Sequence, residues 1–104
     1  GTAVPKNELQ LSDLVLSESA HTVTRGGKPI ALTPKEFSVL EYLLRNQGIV
    51  LSRDKILEHA WDFSYEGASN MVDVYIKTLR KKIDHDFEPK LLHTVRGAGY
   101  VLKE

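Results

Sequence analysis

A chain of 104 residues, 41% hydrophobic and 27% charged, is long enough for one domain with its own core and too short for two. It contains no cysteine and no apolar run longer than five residues, which excludes disulfides, thiol chemistry and a membrane span and favours a cytoplasmic protein. Its 14 basic and 14 acidic side chains cancel, so it lacks the basic surplus of a protein that coats nucleic acid regardless of sequence.

The N-terminal third predicts a short linker followed by a small antiparallel sheet. Residues 1–8 are small, polar or proline-containing, as in a linker or a cloning remnant. From Leu9 to Leu32, short apolar and β-branched stretches alternate with turn residues, and the sequence Arg25-Gly26-Gly27-Lys28 supplies the glycines that a tight hairpin needs. We expect up to four strands here, the last of them over residues 29–32.

Two helices are predicted next. Thr33-Pro34-Lys35-Glu36 has the pattern of a capping box with proline at the first helical position, and Gly48 is the expected end of this helix. Ser52 is placed to cap the second helix. The residues predicted to be buried are Phe37, Val39, Leu40, Leu43 and Leu44 on the first helix and Ile56, Leu57, Ala60 and Trp61 on the second.

A third helix, from Ser69 to about Ile83, has two contrasting faces when its residues are placed at 100° intervals. The apolar side consists of Val72, Ile76, Leu79 and Ile83. The opposite side consists of Asn70, Val74, Lys77 and Lys81, with Thr78 beside them. One side is therefore expected in the core and the other in solvent.

The outer side of this helix is a candidate surface for a polyanion. A basic helix face is most often simply solvated. Here, however, no acid interrupts the stretch 77–82, and an asparagine among the lysines can meet base edges in a major groove. A second helix precedes this one and a glycine-bracketed hairpin follows it, which is the order of a winged helix-turn-helix.

The C-terminal segment predicts that hairpin and carries no sign of a catalytic or metal site. Residues 91–95 and 100–102 read as strands joined by the turn at 96–99. The acidic residues Asp84, Asp86 and Glu88 lack the full ligand pattern of a calcium loop and are predicted to lie in a solvated turn. The four histidines lack metal-ligand spacing, so we expect no metal, no cofactor and no enzymatic activity.

Four sequence motifs, in this order, carry a resemblance to a known family. They are TPKEFSVLEYLL (33–44), LSRDKILEHAW (51–61), VDVYIKTLRKKI (72–83) and TVRGAGYVL (94–102). The chain resembles the C-terminal effector domain of the OmpR/PhoB-type response regulators, the output half of bacterial two-component systems. No single motif would be specific, but the four together cover most of the chain.

The resemblance implies an α+β winged helix-turn-helix domain over residues 9–104. Its parts would be an N-terminal four-stranded antiparallel sheet, a three-helix bundle and a C-terminal hairpin, the wing. The helix at about 69–83 would enter the major groove, and the wing at 95–100 would bring Arg96 to the minor groove. The resemblance also implies contact between RNA polymerase and the loop formed by Asp62, Phe63, Ser64, Tyr65 and Glu66, and an N-terminal receiver domain in the intact protein.

The residues and the resemblance together give a set of predicted DNA contacts. Bases would be met by Asn70, Val74 and Thr78, and phosphates by Arg53, Tyr75, Lys77, Arg80 and Lys81. The domain by itself is expected to be monomeric and to bind direct-repeat sites stepwise. The alternative is a winged-helix module that binds a protein and not DNA, which the neutral charge and the aromatic loop favour. A hydrolase is a distant third, since no catalytic constellation is present.

Overall fold

The computed structural model describes residues 8–61 and 69–104 as an N-terminal sheet, three helices and a C-terminal hairpin. The elements are β1 (Glu8–Leu11), β2 (Leu14–Ser17), β3 (Thr22–Arg25), β4 (Lys28–Pro29), α1 (Pro34–Arg45), α2 (Arg53–Ala60), α3 (Ser69–Ile83), β5 (Leu92–Val95) and β6 (Gly99–Leu102). This confirms the predicted α+β winged helix-turn-helix class. None of the described helices combines the length and the apolar character needed to cross a membrane.

The N-terminal sheet is antiparallel throughout, in the order β1-β2-β3-β4. Its alternating residues Leu14, Leu16 and Val23 are buried and form one side of the core. Two predicted boundaries were wrong. The sheet begins at Glu8, inside the predicted linker, and β4 ends at Pro29 instead of continuing to residue 32, because the chain makes one further hydrogen bond to β3, from the Ile30 amide to the Val23 carbonyl at 2.8 Å, before the cap of α1 at Thr33.

The first two helices begin where their capping residues predict. The Thr33 hydroxyl oxygen accepts from the Glu36 amide at 3.3 Å, and the Glu36 carboxylate accepts from the Thr33 amide at 2.9 Å. In α2, the Ser52 hydroxyl oxygen accepts from the Lys55 amide at 3.2 Å. The predicted end of α1 was wrong: the helix stops at Arg45, and Gly48 lies in the following turn with a φ of +83°.

The core lies between the N-terminal sheet, the three helices and the hairpin. Every residue predicted for the buried sides of α1 and α2 is buried, Trp61 included. The predicted apolar side of α3 is confirmed as well, since Val72, Ile76, Leu79 and Ile83 are at most 1% exposed. The period of apolar residues thus determines which side of α3 faces outward.

The hairpin β5-β6 is joined to the segment before α2 by one further pair of backbone hydrogen bonds. The Leu51 amide donates to the Tyr100 carbonyl at 2.8 Å, and the Tyr100 amide donates to the Leu51 carbonyl at 2.9 Å. Gly99 has a φ of +144° and lies so close to Leu51 that a β-carbon at this position would be 2.0 Å from the Leu51 carbonyl oxygen. This contact fixes the hairpin against the segment that precedes α2.

A buried ion cluster joins the N-terminal sheet to the C-terminal end of α3. The Arg25 side chain is fully buried and donates to the Asp13 carboxylate at 2.6 Å, to Asp84 at 3.0 Å and to the Ile83 carbonyl at 2.6 Å. Asp84 also accepts from the amides of Leu91 and Leu92. The prediction that Asp84 is solvated was therefore wrong: it is 4% exposed, because the guanidinium and two amides replace its water.

Candidate nucleic-acid interface

The outer side of α3 presents the residues that the sequence assigns to it. Val74 is 62% exposed, and Asn70, Lys77 and Lys81 are exposed around it. Thr78 is partly exposed, and its hydroxyl donates to the Val74 carbonyl at 3.1 Å. Since that hydrogen is used within the helix, Thr78 offers a methyl group and an acceptor oxygen to a ligand, but no donor.

The cations on this side differ from those at its edge. Within residues 8–61 and 69–104, neither Lys77 nor Lys81 forms an ion pair. Lys82, at the edge next to α1, instead bonds the Glu36 carboxylate at 2.7 Å. Two positive charges without a described acidic partner therefore lie on the outward side, a turn apart.

The Lys82–Glu36 pair holds α3 against the start of α1. Burial by itself would raise the pKa of Glu36, but the hydrogen bonds from Lys82 and from the Thr33 amide outweigh it and lower that pKa below its ordinary value. Glu36 therefore stays ionised at neutral pH and keeps Lys82 bound. Lys82 is a structural cation and not part of the outer side.

The edges of the outer side are occupied by Arg80 and Tyr75. Arg80 donates from Nε to the Leu92 carbonyl at 3.1 Å and from Nη2 to the Thr94 hydroxyl, and its guanidinium lies 5.8 Å from the centre of the Tyr100 ring. On the opposite edge, the Tyr75 ring meets the Trp61 ring edge-on, with 5.1 Å between ring centres. Part of the side chain of each residue therefore packs α3 against its neighbours.

A cleft separates the N-terminus of α2 from the hairpin. One wall is formed by Ser52, Arg53 and Asp54, and the other by residues 94–100. Arg96 is exposed at the hairpin turn, which is closed by a hydrogen bond from the Ala98 amide to the Val95 carbonyl at 3.0 Å. A long cation therefore stands on the hairpin side of the cleft, and Arg53 stands on the helical side.

One carboxylate joins three elements next to Arg53. Oδ1 of Asp73 on α3 forms an ion pair with Arg53 Nε at 3.0 Å and accepts a hydrogen bond from the Tyr100 hydroxyl. Burial and the adjacent Asp73 carboxylate raise the pKa of the Tyr100 hydroxyl, which remains a donor at neutral pH. Asp73 was not among the predicted site residues, although at 100° per residue its position on α3 lies beside that of Arg80, which contacts the hairpin.

Some of the predicted residues fall outside the part of the chain that the structure describes. These are the proposed polymerase-contact residues Asp62, Phe63, Ser64, Tyr65 and Glu66. In the described ranges, no group of three or more histidine, aspartate or glutamate side chains is arranged to hold a metal ion.

Comparison with known proteins gives matches that cover most of the chain. A family model described as "Transcriptional regulatory protein, C terminal" matches residues 27–102. The chain is 48% identical over 98 residues to transcriptional regulatory protein CusR of Escherichia coli K12, and the match covers 94% of this chain and 43% of CusR. The chain thus spans less than half the length of the curated relatives it matches.

Solved structures match the fold with similar coverage. The DNA-binding domain of Klebsiella pneumoniae RstA, determined in complex with the RstA box, is 32% identical with a TM-score of 0.82, covering 92% of this chain and 96% of that one. The response regulator DrrB, an OmpR/PhoB homologue from Thermotoga maritima, is 35% identical with a TM-score of 0.82, covering 95% of this chain and 45% of DrrB.

Proposed function

Because this chain belongs to the family of C-terminal domains of transcriptional regulatory proteins, represented by the OmpR/PhoB-type response regulators, we propose that it binds double-stranded DNA in a sequence-specific manner. The observation that carries the proposal is the outer side of α3, where Lys77 and Lys81, which pair with no acid in the part of the chain that the structure describes, follow Asn70 and the exposed Val74. We assign α3 to the major groove and the hairpin to the minor groove. The domain acts in the cytoplasm as a binding module and not as an enzyme.

Three side chains are proposed to read bases. The Asn70 amide has the donor and acceptor that adenine presents in the major groove, and Val74 can pack on a thymine methyl group. Thr78 adds its methyl group or accepts a hydrogen bond from a base amino group, since its own hydrogen is bound to Val74. A surface that combines an amide with apolar groups in this way favours A·T base pairs over G·C pairs.

The remaining contacts are proposed to be to phosphates. Lys77 and Lys81 offer full charges on the outer side, and Arg53, whose Nε is paired with Asp73, offers its outer nitrogens at the cleft. Tyr75 and Arg80 complete the set of phosphate contacts at the edges of the outer side. Arg80 uses Nε for the Leu92 carbonyl and Nη2 for the Thr94 hydroxyl, so Nη1 is the nitrogen proposed to bind a phosphate. These contacts supply affinity and orientation, while the base contacts supply sequence preference.

The lysine contacts are tested by substitution and salt titration. We expect Lys77→Ala and Lys81→Ala each to weaken binding to all duplexes by similar factors and to lower the slope of log affinity against log salt by up to about one unit. The measurement is fluorescence anisotropy with a cognate and a random duplex over a range of salt concentrations. The matched control is Lys28→Ala, which removes the same charge from an exposed position on β4.

The control should leave both affinity and slope close to those of the unmodified chain. If Lys77→Ala and Lys81→Ala behave like Lys28→Ala, the outer side of α3 is a solvated surface and its assignment to DNA fails.

The proposed contact of Arg96 with the minor groove is tested by how affinity depends on the flanking base pairs. A cation in a narrow, A·T-rich minor groove gains from the enhanced negative potential there. We therefore expect Arg96→Ala to lose more affinity on duplexes with A·T tracts beside the α3 footprint than on duplexes with G·C flanks. Arg96→Lys serves as the charge-preserving control. Equal losses on the two kinds of duplex would make Arg96 an ordinary phosphate contact.

The proposed mode of binding is two domains on one direct-repeat site. One recognition helix covers too few base pairs to define a genomic site, so we propose copies about one helical turn, or roughly 10 bp, apart. In the intact protein, pairing of receiver domains would raise the effective concentration of the second copy. We expect the free domain to sediment as a monomer and to occupy a two-site duplex stepwise in gel shifts. A tight free dimer or a preference for inverted repeats would contradict this arrangement.

A further partner is proposed for the segment between α2 and α3. The resemblance to the OmpR/PhoB-type response regulators implies that this loop contacts RNA polymerase, and we propose that contact for residues 62–66. The competing function is a winged-helix module that binds only proteins, which the zero net charge favours. Measurable, salt-dependent binding to random duplex DNA supports DNA binding, whereas its absence together with retained polymerase binding would favour the competitor.

A further inference from the structure

An acidic residue lies among the proposed DNA contacts. Asp73 is the one acid in the sequence of α3, and it lies at the hairpin edge of the outer side, partly exposed. A negative charge at this place repels a phosphate backbone, so by charge alone Asp73 should weaken the binding of DNA. Its contacts indicate what it contributes instead.

The contacts of Asp73 bring three elements to a single oxygen atom. Its Oδ1 forms an ion pair with Arg53, at the first position of α2, and accepts a hydrogen bond from the hydroxyl of Tyr100 on β6. The recognition helix, the preceding helix and the wing thus meet at this carboxylate. The Tyr100 side chain is buried, so one of the two donors is fixed by the core.

The pair leaves the rest of the Arg53 guanidinium available to a ligand. Arg53 is 54% exposed on its side chain, and Nε is the atom that bonds Asp73. Guanidinium is planar with five N–H donors, so pairing through Nε restricts its orientation and directs the two outer nitrogens away from Asp73. Arg53 forms no ion pair with a second acid among the described residues, and it lines the cleft that separates α2 from the hairpin.

We propose that Asp73 is a positioning residue for DNA binding, which holds the Arg53 guanidinium in the cleft so that its outer nitrogens bind one backbone phosphate between α2 and the wing. The proposal rests on the proposed function and refines it. An arginine that is already ordered loses less side-chain freedom when it binds, and its fork can engage two phosphate oxygens at once. Asp73 therefore favours DNA binding in spite of its charge.

The proposal predicts a change in the direction opposite to that of simple charge. Asp73→Asn removes a negative charge from the DNA-facing surface, and charge alone would make the variant bind more tightly. If Asp73 positions Arg53, the same substitution should weaken binding, by about fivefold, because the guanidinium loses its fixed orientation. Since the effect acts through Arg53, it should vanish when Arg53 is absent.

The experiment is a double-mutant cycle with the unmodified chain, Asp73→Asn, Arg53→Gln and the double variant. Affinity for a random-sequence duplex is measured at fixed salt, since every duplex presents the backbone phosphate, and urea unfolding verifies that each variant is folded. We expect both single variants to bind more weakly and the double variant to bind no more weakly than Arg53→Gln. Arg53→Lys should also bind more weakly, because one ammonium group keeps the charge but cannot serve the carboxylate and a phosphate in this geometry.

Glu58→Gln is the matched control. It removes one negative charge from an exposed position on α2, where the side chain forms no ion pair with a described residue, so its affinity should stay within about twofold of that of the unmodified chain. If Asp73→Asn binds as tightly as the unmodified chain or more tightly, or if it weakens binding equally with and without Arg53, the positioning role is overturned. If the unmodified chain binds no duplex at all, the proposed function itself fails.

Discussion

The replacement of Gly99 by alanine is expected to lower the free energy of unfolding by about 4 kcal/mol or more, most of the stability of a domain of this size. The added β-carbon would lie 2.0 Å from the Leu51 carbonyl oxygen and 2.9 Å from the α-carbon of Ser52. Those atoms belong to the backbone, and the paired hydrogen bonds between Leu51 and Tyr100 hold them in place. The φ of +144° adds a conformational penalty that only glycine avoids.

Urea denaturation followed by circular dichroism would measure this loss. Gly97→Ala is the matched control, because Gly97 also has a positive φ, of 78°, in the same hairpin, but a β-carbon there would meet no atom within 4 Å. Its expected cost is the conformational penalty alone, about 1 to 2 kcal/mol. Equal losses for the two variants would show that the contact with Leu51 contributes nothing to the requirement for glycine.

The second large effect is expected at the buried ion cluster. Arg25→Met keeps much of the side-chain volume but removes the guanidinium, and we expect it to cost about 3 to 5 kcal/mol. The reason is that Asp84 would remain buried with its charge uncompensated by Arg25, and the Ile83 and Pro89 carbonyls would lose their donor. Thermal and urea unfolding of the variant give the size of the loss.

Arg45→Met is the control for this second substitution. Arg45 also pairs with carboxylates, those of Glu18 and Glu41, but its side chain is about half exposed. Exposed pairs contribute little, so the control should cost less than about 1 kcal/mol. If Arg25→Met costs no more than Arg45→Met, the buried cluster is not what holds the end of α3 to the sheet.

Local patterns were sufficient for most of the architecture. Capping residues located the starts of α1 and α2, because a cap is a contact between residues only three positions apart. The apolar period assigned both sides of α3, since the burial of one side leaves the other outward whatever packs against it. The same reasoning correctly placed Asn70, Val74, Lys77 and Lys81 at the surface.

The parts that could not be predicted depend on pairs distant in the chain. The partners of Arg25 at residues 83 and 84 are 58 and 59 positions away, and no local pattern announces them. Strand alternation did carry one unused signal, because Arg25 shares a face of β3 with the buried Val23. Likewise, the engagement of Arg80 by β5 and of Arg53 by Asp73 required the packing of the helices against the hairpin.

Because Arg25 lies before residue 27, the segment that matches the family model is shorter than the segment that the fold requires. The matching family model begins at residue 27, after β3, although every proposed DNA contact lies within it. A chain trimmed to that boundary would keep the entire reading surface and lose the cation that neutralises Asp84 beneath the end of α3. To transfer the DNA preference of this domain to another protein, one must therefore include β1, β2 and β3 as well. None of these three strands is proposed to contact DNA.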